Sequence, residues 1–334
     1  MNIKKTFSTE LPYCYAVSKI NDNLIAFASD ENGPCLGLDN DLNIQTIWNK
    51  QGGTMAMVPL PKKSEEFLAI QQFNPVFKAE DAIICHIYKE DNNWKQRTIV
   101  KLPFVHRFDI LESNGKNYLI CCTICSEKES VSDWSSSGNV YVSELDTILN
   151  NKINLKPIFS TPLTRNHGFC RIKKNEVLIS ADQGVYSISC PDKYSDWTIS
   201  KLLDTPVSDI ALSDIDNDGV DELATIEAFH GNSINIYKKQ DSSYNKIYSI
   251  KDTIDFTHVI WGGKILGKNC FIGGCRAKEK DLFLINFKNE AFDVTTIEKG
   301  KGPSNIMVKD NKKEAFLYVA NREFGEAAIF KITE

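Results

Sequence analysis

The sequence predicts an all-β fold: a single seven-bladed β-propeller that takes in residues 1–334 and is closed by its own N-terminal strand. Three observations predict it. Seven segments (25–38, 67–88, 118–145, 177–188, 223–237, 270–287 and 316–332) each read as a β-run, a short polar break and a second β-run. The ends of the first runs, Ser29, Gln71, Thr123, Ser180, Ile226, Gly273 and Val319, recur at intervals of 42 to 57 residues, the period of a four-stranded blade. Helical periodicity is almost absent. The last segment also supplies only three strands before the sequence ends.

That third point sets the order of the elements. Each blade carries strands A to D from the axis outward. The last has an A run at 304–308, a B run at 316–320 and a C run at 327–332, with no D run. The run 2–8 precedes the first blade's inner strand and has no other partner. It is therefore expected as the outer strand of blade seven, covering an exposed edge and latching the ring. Ile3, Phe7 and Leu11 are apolar and need that burial.

Composition agrees with one closed body of seven repeats of about 48 residues each. A hydrophobic content of 42% supports a substantial core, and a net charge of −5 gives no footprint for nucleic acid. No apolar run reaches membrane-spanning length, and MNIKKTFSTELPY lacks the apolar stretch of a signal peptide. Of the ten cysteines, most lie inside β-runs, where cysteine acts as a small hydrophobe. Cys122 and Cys125 form a lone C-x-x-C without a second pair, so a core role is expected for them. A reduced, cytoplasmic protein is expected.

In such blades the A–B and C–D turns share one face, and the D-to-A links and B–C loops share the other. The first residue of each strand A then points toward the channel mouth. Aligning those starts gives Cys14, Thr54, His106, His167, Ser208, His258 and Asn305, all polar or thiol. A fourth histidine, His230 in EAFHGN, falls in the B–C loop of blade five on the same expected face. His86, within AIICHIY, is expected to be an ordinary strand residue. Four of five histidines converging on one mouth point to metal ligation or acid–base work. The alternative is a polar mouth that simply holds water. Gln72, Asn74, Asp133, Trp134, Asp182, Arg276 and Arg322 fall in B–C loops, and aromatic and guanidinium groups there suit an oxygen-rich ligand such as a sugar.

A second motif lies between strands A and B of blade five. In Asp214-Ile-Asp216-Asn-Asp218-Gly219-Val220-Asp221-Glu222, alternate carboxylates turn inward, Gly219 permits a sharp turn, the Val220 carbonyl can contribute, and Glu222 closes the shell. The twelfth position is Thr225 and a strand follows, so it is not an EF-hand. A structural calcium, away from the histidine face, is expected. An acidic turn without an ion is the alternative.

This loop resembles the FG-GAP or VCBS repeat of β-propellers. ATIEAFHGNSINIYK (224–238), DFTHVIWGGKILGKNCFIGGCR (255–276) and KGPSN (301–305) further resemble the propeller domain of aldos-2-ulose dehydratases, also called anhydrofructose dehydratases. The earlier blades share only VHRFD and RNHGF. The resemblance implies a lyase module that removes water from a keto-sugar with a bound divalent metal. It supports His230 and His258 most directly, then His106 and His167. The larger enzymes carry cupin domains after the propeller that this sequence lacks, so any isomerisation assigned to those domains is not implied.

Chemistry supports the same reading. Elimination β to a ketone needs an acidified α-proton, a base and stabilisation of the enolate. His167, His230 and His258, from adjacent blades four to six, are the expected ligands of a divalent transition metal such as zinc or manganese. His106 is then the expected base or acid, although it could exchange roles with a ligand. Arg276 is expected to stabilise developing charge, and Arg107, Trp134, Asp182 and Arg322 to hold a small-molecule carbohydrate substrate. No nucleic acid or membrane partner is expected. The rival readings are a non-catalytic propeller binding a carbohydrate or protein on the same face, and a glycoside hydrolase, which needs two opposed carboxylates.

Overall fold

The computed structural model describes residues 1–146, 149, 153–241, 243–251 and 253–334. It is an all-β, seven-bladed propeller. Among the described residues the single helical element is a short 3-10 turn, Val76–Asp81, and no helix is long and apolar enough to cross a membrane.

The chain divides into two compact units, Met1–Tyr15 with Leu202–Glu334, and Ala16–Lys201. The second unit carries blades one to four. Their sheets are Cys14–Asn21, Leu24–Ser29, Cys35–Leu38 and Ile44–Trp48, then Met57–Pro59, Phe67–Gln71, Ile83–Glu90 and Asn93–Lys101. They continue with Val105–Ser113, Lys116–Thr123, Val140–Leu145 and Lys156–Pro157, then Gly168–Lys173, Glu176–Ala181, Gly184–Ser189 and Thr198–Leu203. A two-residue ladder joins Ser137–Gly138 to Leu163–Thr164. The first unit carries blades five to seven. Their sheets are Asp209–Ser213, Glu222–Glu227, Ser233–Gln240 and Ser243–Lys251, then Asp255–Ile265, Lys268–Ala277, Leu282–Lys288 and Ala291–Glu298. Blade seven is Pro303–Asp310, Ala315–Asn321 and Glu326–Thr333, completed by Asn2–Glu10.

Burial is deepest in the second strand of a blade and falls off toward the outer one. The second strands Leu24–Ser29 and Phe67–Gln71 are buried at every residue, so both faces pack against neighbours and both carry apolar side chains. The outer strands Asn2–Glu10 and Ser243–Lys251 have one face open and alternate or nearly alternate in exposure. In the first unit, Ile226, Ile234, Ile236, Phe271 and Ile285 form one apolar cluster, and Ile272, Leu284, Leu317, Val319 and Phe330 form another. Each such side chain contributes about 1.5–3 kcal/mol on burial. In the second unit, Leu111, Ile120, Val142, Val177 and Ile179 play the same part. None of the ten cysteines is in a disulfide. Burial pushes the Cys122 thiol up to about 12 and the Cys125 thiol up to about 11, which keeps both protonated and in the core.

The N-terminal strand runs antiparallel to the last one, from Asn2 opposite Thr333 to Glu10 opposite Glu326, with one irregularity between Lys5 and Phe7. Leu11 N–H then donates to Gly325 O at 2.8 Å, and Leu11 is fully buried. Lys5 reaches across the join to Glu298 and, at 3.1 Å, to Glu326. Burial works to raise the Glu326 carboxyl, but hydrogen bonds from Asn321 and Lys5 carry it below the usual carboxylate value. Its folded-state value is therefore depressed, so its contribution is complete above the unfolded value and is lost as pH falls through the folded one. Glu326→Gln should lower thermal stability by about 1 kcal/mol near neutral pH. In melts recorded from pH 7 downward, the gap from the parent should close in the acid range, below the ordinary carboxylate value.

Candidate functional site

Local register, not side-chain pattern, sets where each inner strand presents its first polar residue. In blade three Val105 pairs with Thr123 and Arg107 with Cys122, so His106 is the extra residue of a bulge. In blade six Thr257 pairs with Cys275 and Val259 with Gly274, which leaves His258 as the extra residue. A bulge turns one side chain out of the sheet's alternation without breaking the strand. His167 has the same place in blade four, just ahead of Gly168, with its N–H on Ser180 O at 3.1 Å. Ser208 has it in blade five, its N–H on Ile226 O at 2.8 Å.

Blade seven corrects the alignment by one residue. Pro303 pairs with Asn321 and Asn305 with Ala320, so the bulged residue is Ser304, not Asn305. Ser304 is fully buried, and its hydroxyl is within hydrogen-bonding distance of the carbonyls of Cys14, Tyr15 and Ala320. Thr54 also stands three residues ahead of its strand, Met57–Pro59, although it is buried as expected.

In the unit of blades five to seven, His230 and His258 come together with ring centroids 5.3 Å apart. His258 is 3% exposed. Its Nδ1 lies 2.8 Å from the Ser304 carbonyl, which can only accept, so Nδ1 carries the proton. Nε2 therefore keeps its lone pair, and the Tyr15 hydroxyl faces it at 3.2 Å. An imidazole whose second nitrogen is anchored on a backbone carbonyl is oriented as a metal ligand requires. His230 sits in the loop between Glu222–Glu227 and Ser233–Gln240 at φ 47, a left-handed conformation unusual for a side chain of its size. Ser208 accepts its N–H at 3.1 Å, and the rings of Phe229 and Phe256 lie 4.0 and 4.6 Å from its own.

Arg276 and Arg322 belong to the same unit. Arg276 lies with its guanidinium 4.6 Å from the Phe256 ring centre and donates from Nε and a terminal nitrogen to Glu323 Oε1 at 2.8 and 2.6 Å. Arg322 donates to that same oxygen at 3.2 Å and lies over Tyr13. Two guanidiniums thus share one carboxylate. Burial works to raise the Glu323 carboxyl, but the two arginines hold it below its usual value.

In the unit of blades one to four, His106 and His167 come together with ring centroids 4.6 Å apart, and both are buried. Phe73 meets the His106 ring edge-on at 5.3 Å. Asn166, beside His167, is fully buried and donates to Asn139 O at 3.2 Å. Arg107 donates to Met55 O at 3.1 Å. Asp182 lies 3.7 Å from Arg165, and burial holds its carboxyl above the usual range despite that charge. The Trp134 ring has Lys128 Nζ 3.1 Å from its centre, so one of its faces is taken by an ammonium. His86 lies in its strand, with Nε2 2.9 Å from Glu66.

The acidic loop forms at the opposite end of strand Glu222–Glu227 from the His230 loop. One oxygen from each of Asp214, Asp216 and Asp218 falls within 4.8 Å of the others. Gly219, at φ 92, makes the turn, and its N–H donates to Asp214 Oδ2 at 3.2 Å. Val220 N–H donates to Asp218 Oδ1, and Ile215 N–H to Glu222 Oε2. A group that sequence reasoning missed enters here. Lys238, on the third strand of the blade, contacts Asp216, lies 2.6 Å from Asp218 and approaches Glu222 at 3.7 Å. Glu222 is fully buried, and burial together with the Asp216 charge pushes its carboxyl up to about 7. Asp214 Oδ1 and Glu222 Oε1 are buried with no hydrogen-bond donor in the protein, so the donor set retains capacity for a cation.

Tyr15, Ser304, Phe256, Glu323 and Lys238 were not legible as site residues. Glu323 is adjacent to Arg322 in sequence, but its pairing with Arg276 spans 47 residues. Only a hydroxyl beside the expected start, in PSN, hinted at Ser304.

No family model matches the chain, and no curated protein matches it. Solved structures do. A chain of the mitotic checkpoint complex superposes with a TM-score of 0.65 at 8% identity, covering 100% of this chain and 96% of its own. Virginiamycin B lyase from Staphylococcus aureus superposes at 0.63 with 12% identity, covering 99% and 100%. YCF48 from Cyanidioschyzon merolae superposes at 0.59 with 11% identity, covering 99% and 98%. At these identities the likeness establishes the seven-bladed fold.

The His230 loop depends on a close approach that only glycine permits. A Cβ at Gly231 would stand 2.1 Å from Glu227 O and 2.4 Å from Ala228 N. Gly231→Ala should therefore cost about 1–3 kcal/mol, since the backbone must move. Denaturant melts measure that loss. The variant's imidazole resonances should shift at His230 and His258 more than at His86.

Proposed function

We propose that the chain is a metal-dependent carbon–oxygen lyase that acts on a keto-sugar or an oxidised glycoside by β-elimination. The observation that carries this reading is the placement of four histidines. His106 and His258 are the bulged residues of their inner strands, His167 stands directly ahead of its inner strand, and His230 is packed against His258. Independent structural uses would scatter so scarce a residue. The family resemblance in blades five to seven and the whole-length structural likeness to a protein named as a lyase support the same class.

His230 and His258 are the core of the proposed metal site. His167, directly ahead of strand Gly168–Lys173, is the third proposed ligand. The anchored Nδ1 of His258 is the feature of this chain that fits the role. A divalent metal such as zinc or manganese would supply Lewis-acid polarisation of the substrate carbonyl there. His106 takes the proton from the α-carbon, and the C–H electron pair moves toward the carbonyl oxygen. Arg276 and Arg322 would donate to the enolate oxygen and stabilise its developing charge. The pair then returns to form the carbon–carbon double bond as the β C–O bond breaks. The departing oxygen leaves with a proton as water or an alcohol. Arg107, Trp134, Asp182 and Arg322 position the sugar hydroxyls.

His230→Ala or His258→Ala should remove the metal and abolish elimination, a loss of at least 100-fold, while the melting temperature stays within a few degrees of the parent. His106→Ala should keep the metal, measured by elemental analysis, but slow exchange of the α-proton into deuterated solvent. A protein with neither metal at these histidines nor exchange with any keto-sugar would instead be a binding propeller.

The acidic loop is proposed as a structural calcium site, with Asp214, Asp216, Asp218, the Val220 carbonyl and Glu222 as ligands. Its two buried, undonated oxygens support this, and Lys238 has to give way. Calcium at 100 times its dissociation constant should add about 2.7 kcal/mol of stability to the parent. Asp218→Ala should melt lower and show no response to calcium or chelator, whereas Lys238→Met should respond at a lower calcium concentration than the parent.

A further inference from the structure

A cleft of about 400 Å³ lies at the outer strands of blades one and two, within the unit Ala16–Lys201 and on no element that carries His106, His167, His230 or His258. Trp48, at the end of strand Ile44–Trp48, and Trp94, in strand Asn93–Lys101, both line it. Both indoles meet Phe67, with ring centres at 6.4 and 6.0 Å, so one fully buried ring sets the position of each. Trp94 is further fixed by donating from Nε1 to Gln45 Oε1 at 3.0 Å. The equivalent donor of Trp48 differs: its Nε1 is buried, and no acceptor in the protein lies within hydrogen-bonding distance. Buried indole N–H groups ordinarily have an acceptor, so this one calls for an oxygen from a ligand.

Charge narrows the ligand. Lys50 and Lys95 line the cleft and are exposed, whereas no aspartate or glutamate lines it. Among the described residues, neither lysine has a carboxylate within ion-pair distance. The cleft is thus locally cationic on a chain whose net charge is −5. Side-chain amides of Asn49, Gln51 and Gln96 complete the polar lining. The buried Trp48 N–H and the side-chain amides suit the hydroxyls of a sugar, and two ammonium groups suit an oxyanion on it.

We propose that this cleft is a second binding site, for a small acidic saccharide. The site is separate from the proposed lyase centre and stands whether or not that centre acts on sugars. Calorimetric titration of the full chain with trigalacturonate should give 1:1 binding that weakens as salt is raised. The double variant Lys50→Gln, Lys95→Gln should bind at least 10-fold more weakly with an unchanged melting temperature, because both residues are exposed. Trp48→Phe, which keeps the ring and removes the N–H, should also weaken binding several-fold. His230→Ala should bind as the parent does. Any of four results would overturn the proposal: no binding by the parent, equal binding of maltotriose, tighter binding of adenosine monophosphate or of inorganic sulfate, or loss of binding in His230→Ala but not in the lysine variant.

Discussion

A strand at the edge of a sheet carries a row of amide and carbonyl groups with no partner, and in a repeat fold the last repeat always threatens to end on one. Strand Glu326–Thr333 would be such an edge if the N-terminal residues did not run beside it from Asn2 to Glu10. The first nine-residue strand of the chain is thereby tied to the last eight-residue one. The ion pairs from Lys5 to Glu298 and Glu326 add direction to a join that backbone hydrogen bonds make. The same join fixes Tyr15. The residues leading from the N-terminal strand pass Leu11 and reach Cys14 and Tyr15, whose carbonyls accept from Ser304. The hydroxyl facing His258 Nε2 is therefore positioned by the latch.

A second constraint acts within the blades. An inner strand with strict alternation would send successive side chains to opposite faces, each packed against a neighbouring blade, and a polar residue there would be buried among apolar groups. The one-residue bulge releases His106, His258 and Ser304 from that alternation. The position is still nearly solvent-free, so each group has to find polar or aromatic partners. Ser304 spends its hydroxyl on backbone carbonyls, while His258 needs only Nδ1 for that purpose. Histidine at this position anchors itself with one nitrogen and keeps a second for chemistry. Serine has no atom to spare.

The fold was legible because its signal is periodic: seven paired β-runs with polar breaks leave little room for another architecture, and the missing last strand pointed to the N-terminus. The strand-start places of His106, His167 and His258 were legible for the same reason, because they recur with the repeat, whereas His230 stands in a loop. What sequence did not reveal depends on register and on cross-strand reach. Asn305 looked equivalent to His258 because a bulge adds a residue without changing the pattern of hydrophobic letters. Nothing in SINIYKKQ says that the Lys238 ammonium reaches three carboxylates of a loop 22 residues earlier. Glu323 looked like a surface residue beside an arginine until the fold brought Arg276 to it.

These observations separate what the propeller supplies from what this chain adds. Proteins as unlike as a mitotic checkpoint component and a virginiamycin B lyase share the fold at 8% and 12% identity, so blade packing is compatible with many functions. The packing does supply rigid strand starts, where a side chain can be held within a fraction of an ångström by backbone hydrogen bonds. This chain places imidazoles at three of those starts and a fourth in a loop that only Gly231 allows to close. It adds two guanidiniums, of Arg276 and Arg322, that both donate to the Glu323 carboxylate. A buried imidazole such as His258, held by Nδ1 on a backbone carbonyl, is costly to maintain for packing alone. Elimination next to a carbonyl needs that set of groups: a base, a polarising centre and a counter-charge for the enolate.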